Sequence, residues 1–315
     1  MHESPPARKS SPMQSGGAPA AALVAILLAN VALAFGPLFV RLADVGPVAA
    51  GFWRLTLAGP VLLGAAWAMG SAPIRSSRGL WGVLAIAGVA FAADLASWHI
   101  GIHRTTLANA TLFGNSATLI YPIYGFLAAR MWPTRPQAAA LLLAAIGAGL
   151  LLGRSAELSP RNVAGDLLCL LAGVLYAIYF IFMARARTRL APVPALALSS
   201  FASMGPLLLL SLALGEQIWP QNWGPVIGLA LCSQLIGQGL MIYALGHVSP
   251  LVVGLTLLLQ PIVSGAIGWS LYGEQPAATD WIGAALVAAA LVLVRQRPQR
   301  GVPLAPTGAG LKSEG

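Results

Sequence analysis

Apolar residues run along this chain in long stretches that do not alternate with polar ones. Short clusters of Arg, Pro, Gly and Trp separate them. A bilayer core of about 30 Å takes roughly 20 apolar residues as helix. Five windows meet that length without a charge: 18–40, 55–74, 105–129, 190–215 and 248–273. Weaker windows fill the gaps at 79–102, 137–153, 167–184, from about Trp223 to Gly246, and 277–294. The pattern predicts ten transmembrane helices in an all-α integral membrane protein. Barrel strands need alternation, which is absent. The run before Ala32-Leu33-Ala34 is longer than a signal-peptide core, so it reads as a span rather than a cleaved leader.

Composition agrees. Hydrophobic residues make up 57 % of the 315 and charged residues 9 %, against about 25 % charged in soluble proteins. That excludes a soluble enzyme, a disordered chain and a disulfide-built secreted domain. Cys169 and Cys232 lie in apolar runs, so neither a disulfide framework nor a zinc site is expected. The net charge of +9 has a topological reading. With the N-terminus in the cytoplasm, most Lys and Arg fall on the inner side. Only Arg41, Arg104, Arg154 and Arg161 fall in outer loops, and Arg54 lies at the outer start of the second span. This positive-inside bias places both termini in the cytoplasm. No basic block with aromatics suggests nucleic acid.

The chain repeats itself. An offset of 143 aligns Leu27-Leu28-Ala29-Asn30-Val31 with Leu170-Leu171-Ala172-Gly173-Val174, Arg104-Thr105-Thr106 with His247-Val248-Ser249, and Pro133 with Pro276. Trp81-Gly82 pairs with Trp223-Gly224 at 142, and Gly59-Pro60 with Gly205-Pro206 at 146. Loop insertions account for the drift. The expected organisation is a cytoplasmic tail (1–19), a first repeat (20–153), a connecting loop (154–162), a second repeat (163–295) and a second tail (296–315). Each repeat holds five spans. An odd number inverts the second against the first, the usual construction of secondary carriers.

Polar groups at bilayer depth are the candidate chemistry. Asp94 sits in the third span, where a carboxylate costs about 2.5–3.5 kcal/mol to insert. It reads either as a proton-coupling or substrate-amine group or as a structural hydrogen-bond partner. Trp98 shares its helical face four residues on. His99 is turned away from Asp94 and reads either as a relay member through another span or as a histidine bonded to a neighbouring backbone. Arg54 can snorkel outward or pair with Asp44 or Asp94, a structural role in either case. Asn30, Asn115, Gln234, Gln238 and Gln260 are amides that can line a cavity or glue helices together. Tyr176 adds a hydroxyl. Glycines beside Gln238 permit close approach. Pro122 and Pro261 interrupt backbone bonding in their spans, which suits gating. Ala145, Gly149 and Gly153 form a small-residue stripe suited to helix packing. No Walker loop, HExxH or nucleophile elbow occurs, so no catalytic residue, cofactor or metal is expected.

Several of these motifs occur together in a known pattern. Phe52-Trp53-Arg54, Asp94-Leu95-Ala96-Ser97-Trp98-His99 and Thr105-Thr106-Leu107-Ala108-Asn109 mark the first half. Gly237-Gln238-Gly239, Ser249-Pro250, Leu259-Gln260-Pro261 and Gly273-Glu274 mark the second. The sequence resembles the EamA-type members of the drug/metabolite transporter superfamily across roughly 22–295. The resemblance implies ten helices around a central cavity, lined by Asn30, Asp94, Trp98, Asn115, Tyr176, Gln234, Gln238 and Gln260. Two positions depart from that pattern. Met131 stands where a glutamate is expected after the fourth helix, and Thr118 stands opposite Pro261. The expected protein is a bacterial inner-membrane carrier that moves small metabolites, amino acids or related compounds, by alternating access, with export as the direction. Its partners are a small-molecule substrate, the bilayer and protons as a candidate coupling ion, as monomer or homodimer. A lipid-linked substrate flippase and a non-transporting scaffold or sensor remain the alternatives.

Overall fold

The computed structural model describes residues 20–116, 134–186, 189–245, 256 and 259–295. Among these residues every regular element is helical. The first apolar run is broken into α1 (Ala20–Ala34) and α2 (Gly36–Leu42) by a turn at Phe35. Pro37 has no N–H to offer the preceding turn, which accounts for the break. Then follow α3 (Pro47–Ala68), the single turn α4 (Pro73–Ser76), α5 (Trp81–Ile102) and α6 (Leu107–Gly114). Helices α7 (Arg135–Leu158), α8 (Pro160–Ala186) and α9 (Pro192–Ala213) are long. Next comes a composite of α10 (Trp223–Leu229), a π-helix (Ala230–Gly237) and α11 (Gln238–Leu245), and then α12 (Leu259–Tyr272) and α13 (Ala278–Arg295).

Six stretches among the described residues are long and apolar enough to cross a bilayer: Ala20–Leu42, Pro47–Ala68, Trp81–Ile102, Pro160–Met183, Pro192–Ala213 and Trp223–Met241. Ala138–Leu150 and Ala278–Ala290 are shorter apolar helices. Large apolar side chains such as Leu28, Val61, Leu209, Leu212 and Trp269 point outward from the bundle. So much exposed apolar surface belongs against lipid. The chain is a multi-pass membrane protein.

Two boundaries differ from expectation. The second span begins at Pro47, well before the charge-free window from Leu55, and carries Arg54 within it as expected. The segment expected to be a loop at 154–162 is almost wholly helical, and Ser159 alone separates α7 from α8.

Helices α3 and α9 share one design. Each starts on a proline whose missing N–H is harmless there and carries an internal proline, Pro60 or Pro206. Each ends on a left-handed glycine, Gly70 (φ 75°) or Gly215 (φ 66°), the residue that tolerates that conformation. The helices pack together. Glu216, just beyond the end of α9, reaches the first turn of α3, so the two run in opposite directions.

The helix pairings respect an exchange of halves. Helix α7 packs on α13, and α6 on α12. The α5–α8 contact is matched by that of α1 with the π-helix and α11. Small residues set the closest approaches. A Cβ on Gly88 of α5 would lie 2.4 Å from the Ala202 Cβ of α9. One on Gly101 would lie 2.6 Å from Cys169 Sγ of α8. In α7 the contact glycine is Gly147, which faces the Gly283 carbonyl, whereas Gly149 of the predicted stripe faces open space. The connections at 43–46, 103–106, 159, 214–222 and 273–277 gather at one end of the bundle, hereafter the Glu274 end.

Candidate functional site

A layer of polar side chains crosses the bundle between helices of the two halves. A helix rises about 1.5 Å per residue. Arg54 therefore lies about 11 Å along α3 from the Glu274 end, and Asp94 about 12 Å from it along α5. Both are buried, Arg54 3 % exposed and Asp94 8 %. Each acts electrostatically on the other, but they form no contact ion pair. Arg54 instead donates from Nε to Gln234 Oε1 at 3.0 Å. Gln234 donates onward to Ser200 Oγ at 3.5 Å, and Ser200 is tied to the Leu196 carbonyl. Snorkelling to the surface is therefore not what Arg54 does. Its charge is held inside by a side chain of the other half.

One tier deeper, Gln238 Nε2 donates to the Tyr176 hydroxyl at 3.4 Å. Tyr176 stacks on Tyr179 with centroids 5.7 Å apart, and Phe91 stacks on Tyr179 at 4.6 Å. Phe91 lies three residues before Asp94, so the aromatic stack forms a wall on the carboxylate's side of α5. Gln234 and Gln238 are four residues apart and reach different partners; Gln234 lies within the π-helix and Gln238 opens α11. Gly237 admits Leu33 of α1, while Gly239 faces open space.

A second polar cluster lies at similar depth. Gln260 donates from Nε2 to Asn30 Oδ1 at 2.8 Å and accepts from Asn115 Nδ2 at 3.2 Å. Asn30 also donates to the Ile26 carbonyl at 2.8 Å. Helices α1 and α12 and the end of α6 are thereby joined. Ser264 of α12 adds a bond to the Ala34 carbonyl at the break in the first span.

Trp98 and His99 sit apart from both clusters. Trp98 donates from Nε1 to the Ala110 carbonyl at 3.1 Å and packs over Gly114 and Gly36. His99 is fully buried, with Nδ1 2.9 Å from the Pro47 carbonyl and Nε2 without a partner. A neutral ring with its proton on Nδ1 satisfies that geometry. His99 thus anchors the start of α3 against α5. Pro261 lies in the first turn described for α12, and Pro122 lies outside the described residues. Ser200 and the π-helix are parts of the site that no residue spacing announced.

The comparisons fit this architecture. The model of the EamA-like transporter family matches the chain twice, over 20–153 and 163–296. A protein described as uncharacterized transporter YwfM, from Bacillus subtilis (strain 168), is 25 % identical over 259 residues, 81 % of this chain and 86 % of its own. A solved chain described only as a protein in a crystal structure aligns with a TM-score of 0.61 at 20 % identity. It covers 88 % of this chain and 98 % of itself, a likeness of fold alone. Two matches that together span most of the sequence, on a helical bundle with a polar layer between its halves, place the chain in the EamA-like transporter family.

Proposed function

We propose that the protein is an alternating-access carrier of ten helices, built as two inverted five-helix repeats, that exports small polar metabolites across a bacterial inner membrane with both termini cytoplasmic. The supporting observation is the polar layer at mid-depth. It presents a guanidinium and a carboxylate that are not joined to each other, with amides and a tyrosine hydroxyl beside them. A solute bearing both an ammonium and a carboxylate, such as an amino acid, is the chemistry these groups complement. Asp94 takes the ammonium or a proton, and Arg54 with Gln234 takes the carboxylate. Asn30, Asn115 and Gln260 connect helices that must shift as the halves rock, and Trp98 and Pro261 border the path.

The test is a thermal-shift screen of the detergent-purified protein against amino acids, amines, nucleosides and sugars. A ligand at a hundred times its Kd stabilises the folded state by about 2.7 kcal/mol. The expected hit is a zwitterion whose shift disappears in Asp94→Asn, with that variant still folded. A hit of equal size in Asp94→Asn would remove Asp94 from the site. A blank panel would count against a polar substrate and favour lipid-linked or hydrophobic solutes.

A further inference from the structure

Carboxylates at the Glu274 end reach from one half to the other. Glu274, after α12, takes Arg41 of α2 at 2.7 Å and the Leu107 N–H of α6 at 2.9 Å. The same Arg41 also binds the Ile102 and Thr105 carbonyls. Glu216, after α9, caps α3 by accepting from Ala49 N–H at 2.8 Å and Val48 N–H at 3.2 Å. Asp44, after α2, accepts from the Gln221 and Asn222 N–H groups at 2.9 and 2.8 Å. Asp166 of α8 binds the Thr105 hydroxyl and the Asn109 amide. Each of the four carboxylates joins the first half to the second, while Arg41's bonds to Ile102 and Thr105 stay within the first. Gly46 is required beneath Glu216, because a Cβ there would lie 2.3 Å from its carboxyl carbon.

The repeat shows what stands at the other end. At offset 143 the counterparts of Glu274 and Asp166 are Met131 and Leu23. At the 145 that relates α3 to α9, those of Glu216 and Asp44 are Ser71 and Arg189. None is acidic. Outside the two tails, the opposite end has no carboxylate in its sequence, and among the described residues it holds Arg75, Arg78, Arg135, Arg185 and Arg189. Closing the Glu274 end makes charge-assisted bonds to backbone N–H and guanidinium, the stronger class of hydrogen bond. Closing the opposite end brings guanidiniums together with no carboxylate among its loop residues.

We propose that Asp44, Asp166, Glu216 and Glu274 form a one-sided latch. It makes closure at the Glu274 end the resting state and leaves the arginine-rich end open to solute. The asymmetry has a topological origin. Arginines that fix orientation in the membrane also deny their own side an equivalent latch. The inference rests on the alternating-access reading for its meaning, although the latch can be tested without transport. A binding-competent state that dominates at rest leaves apparent affinity undiminished on its own side and weakens it on the other.

The experiment measures distances between spin labels on the full chain in lipid nanodiscs, in a Cys169→Ala/Cys232→Ser background. One label pair at positions 42 and 275 reports on the Glu274 end, and a second pair at 71 and 191 reports on the opposite end. The unmutated latch should give one narrow distance at 42/275. Glu216→Gln with Glu274→Gln should add a longer population and raise the open-to-closed ratio at least about tenfold. Asp280→Asn is the control, since Asp280 caps only its own helix through the Ala277 N–H, and it should change nothing. A narrow 42/275 distance that survives the double substitution in folded protein would overturn the latch. So would an evenly split distance with the latch intact. If Asp94→Asn or added solute shifts either pair while the latch variants do not, the latch fails and alternating access stands. If both pairs stay fixed in every variant and with every solute, both readings fail.

Discussion

Arg54→Met should be among the most damaging single substitutions in the bundle, and Asp94→Asn should repair most of the damage to stability. Methionine fills the space of the arginine stem but leaves Gln234 Oε1 without its donor and Asp94 without the opposing charge. Removing one member of a buried charge set costs of the order of 3 kcal/mol, because the other charge stays behind uncompensated. Asp94→Asn removes that remaining charge at nearly constant volume. The double variant should therefore melt well above Arg54→Met alone, with a coupling of about 1–3 kcal/mol in a double-mutant cycle. Transport should stay lost in both. Thermal unfolding in detergent gives the stabilities, and solute flux in proteoliposomes gives the activity. Additive stability effects would show that the two charges are independent and would remove the case for one site.

Gly88→Leu should prevent assembly of the bundle. Its Cβ would lie 2.4 Å from the Ala202 Cβ and 2.7 Å from the Ala202 carbonyl carbon, and backbone cannot rotate aside. Helix α5 is clamped between α8 and α9, so it cannot back away without opening the Gly101–Cys169 contact on its other side. Overpacking of a tight site commonly costs about 1–3 kcal/mol, occasionally more, and a backbone collision belongs at the upper limit. Gly64→Ala is the comparison. That position has open space around it, and alanine favours helix by about 1 kcal/mol over glycine. Yield of monodisperse protein and apparent Tm should fall sharply for the first and hold or rise for the second. Equal behaviour would mean that α5 and α9 do not meet as described.

How much of this was legible in the sequence follows from what each residue contributes alone. Apolar length is a property of single segments, so the helices could be read directly. The charge-free window of the second span opened only at Leu55, whereas the helix starts at Pro47 and carries Arg54. Its charge is matched by Gln234, 180 residues later, which no local window can see. Asp94 stood out through the energetic penalty of its own carboxylate. His99 read either as a relay member or as a histidine bonded to a neighbouring backbone, and its contact with the Pro47 carbonyl fits the second, a partner that any residue carries. The latch was equally hidden. Asp44, Glu216 and Asp166 are ordinary loop and helix-end acids until the fold sets them against helix starts from the other repeat. Gly147 was passed over for Gly149 because a stripe of small residues does not say which face of α7 meets α13.

The π-helix gives the drifting repeat offset another meaning. Between Trp81 and Arg104 the first half runs as plain α-helix through α5. Between the matching Trp223 and His247 the offset grows from 142 to 143, and the π-helix of Ala230–Gly237 lies within that interval. A wider turn with i→i+5 bonding can house an added residue without breaking the helix. The drift here thus arises from an insertion within a membrane span rather than in a loop. Duplication alone would yield two interchangeable halves. Gln234 lies in that wider turn and Gln238 opens the α-helix after it, so the two halves differ at the depth of the Arg54–Gln234 contact.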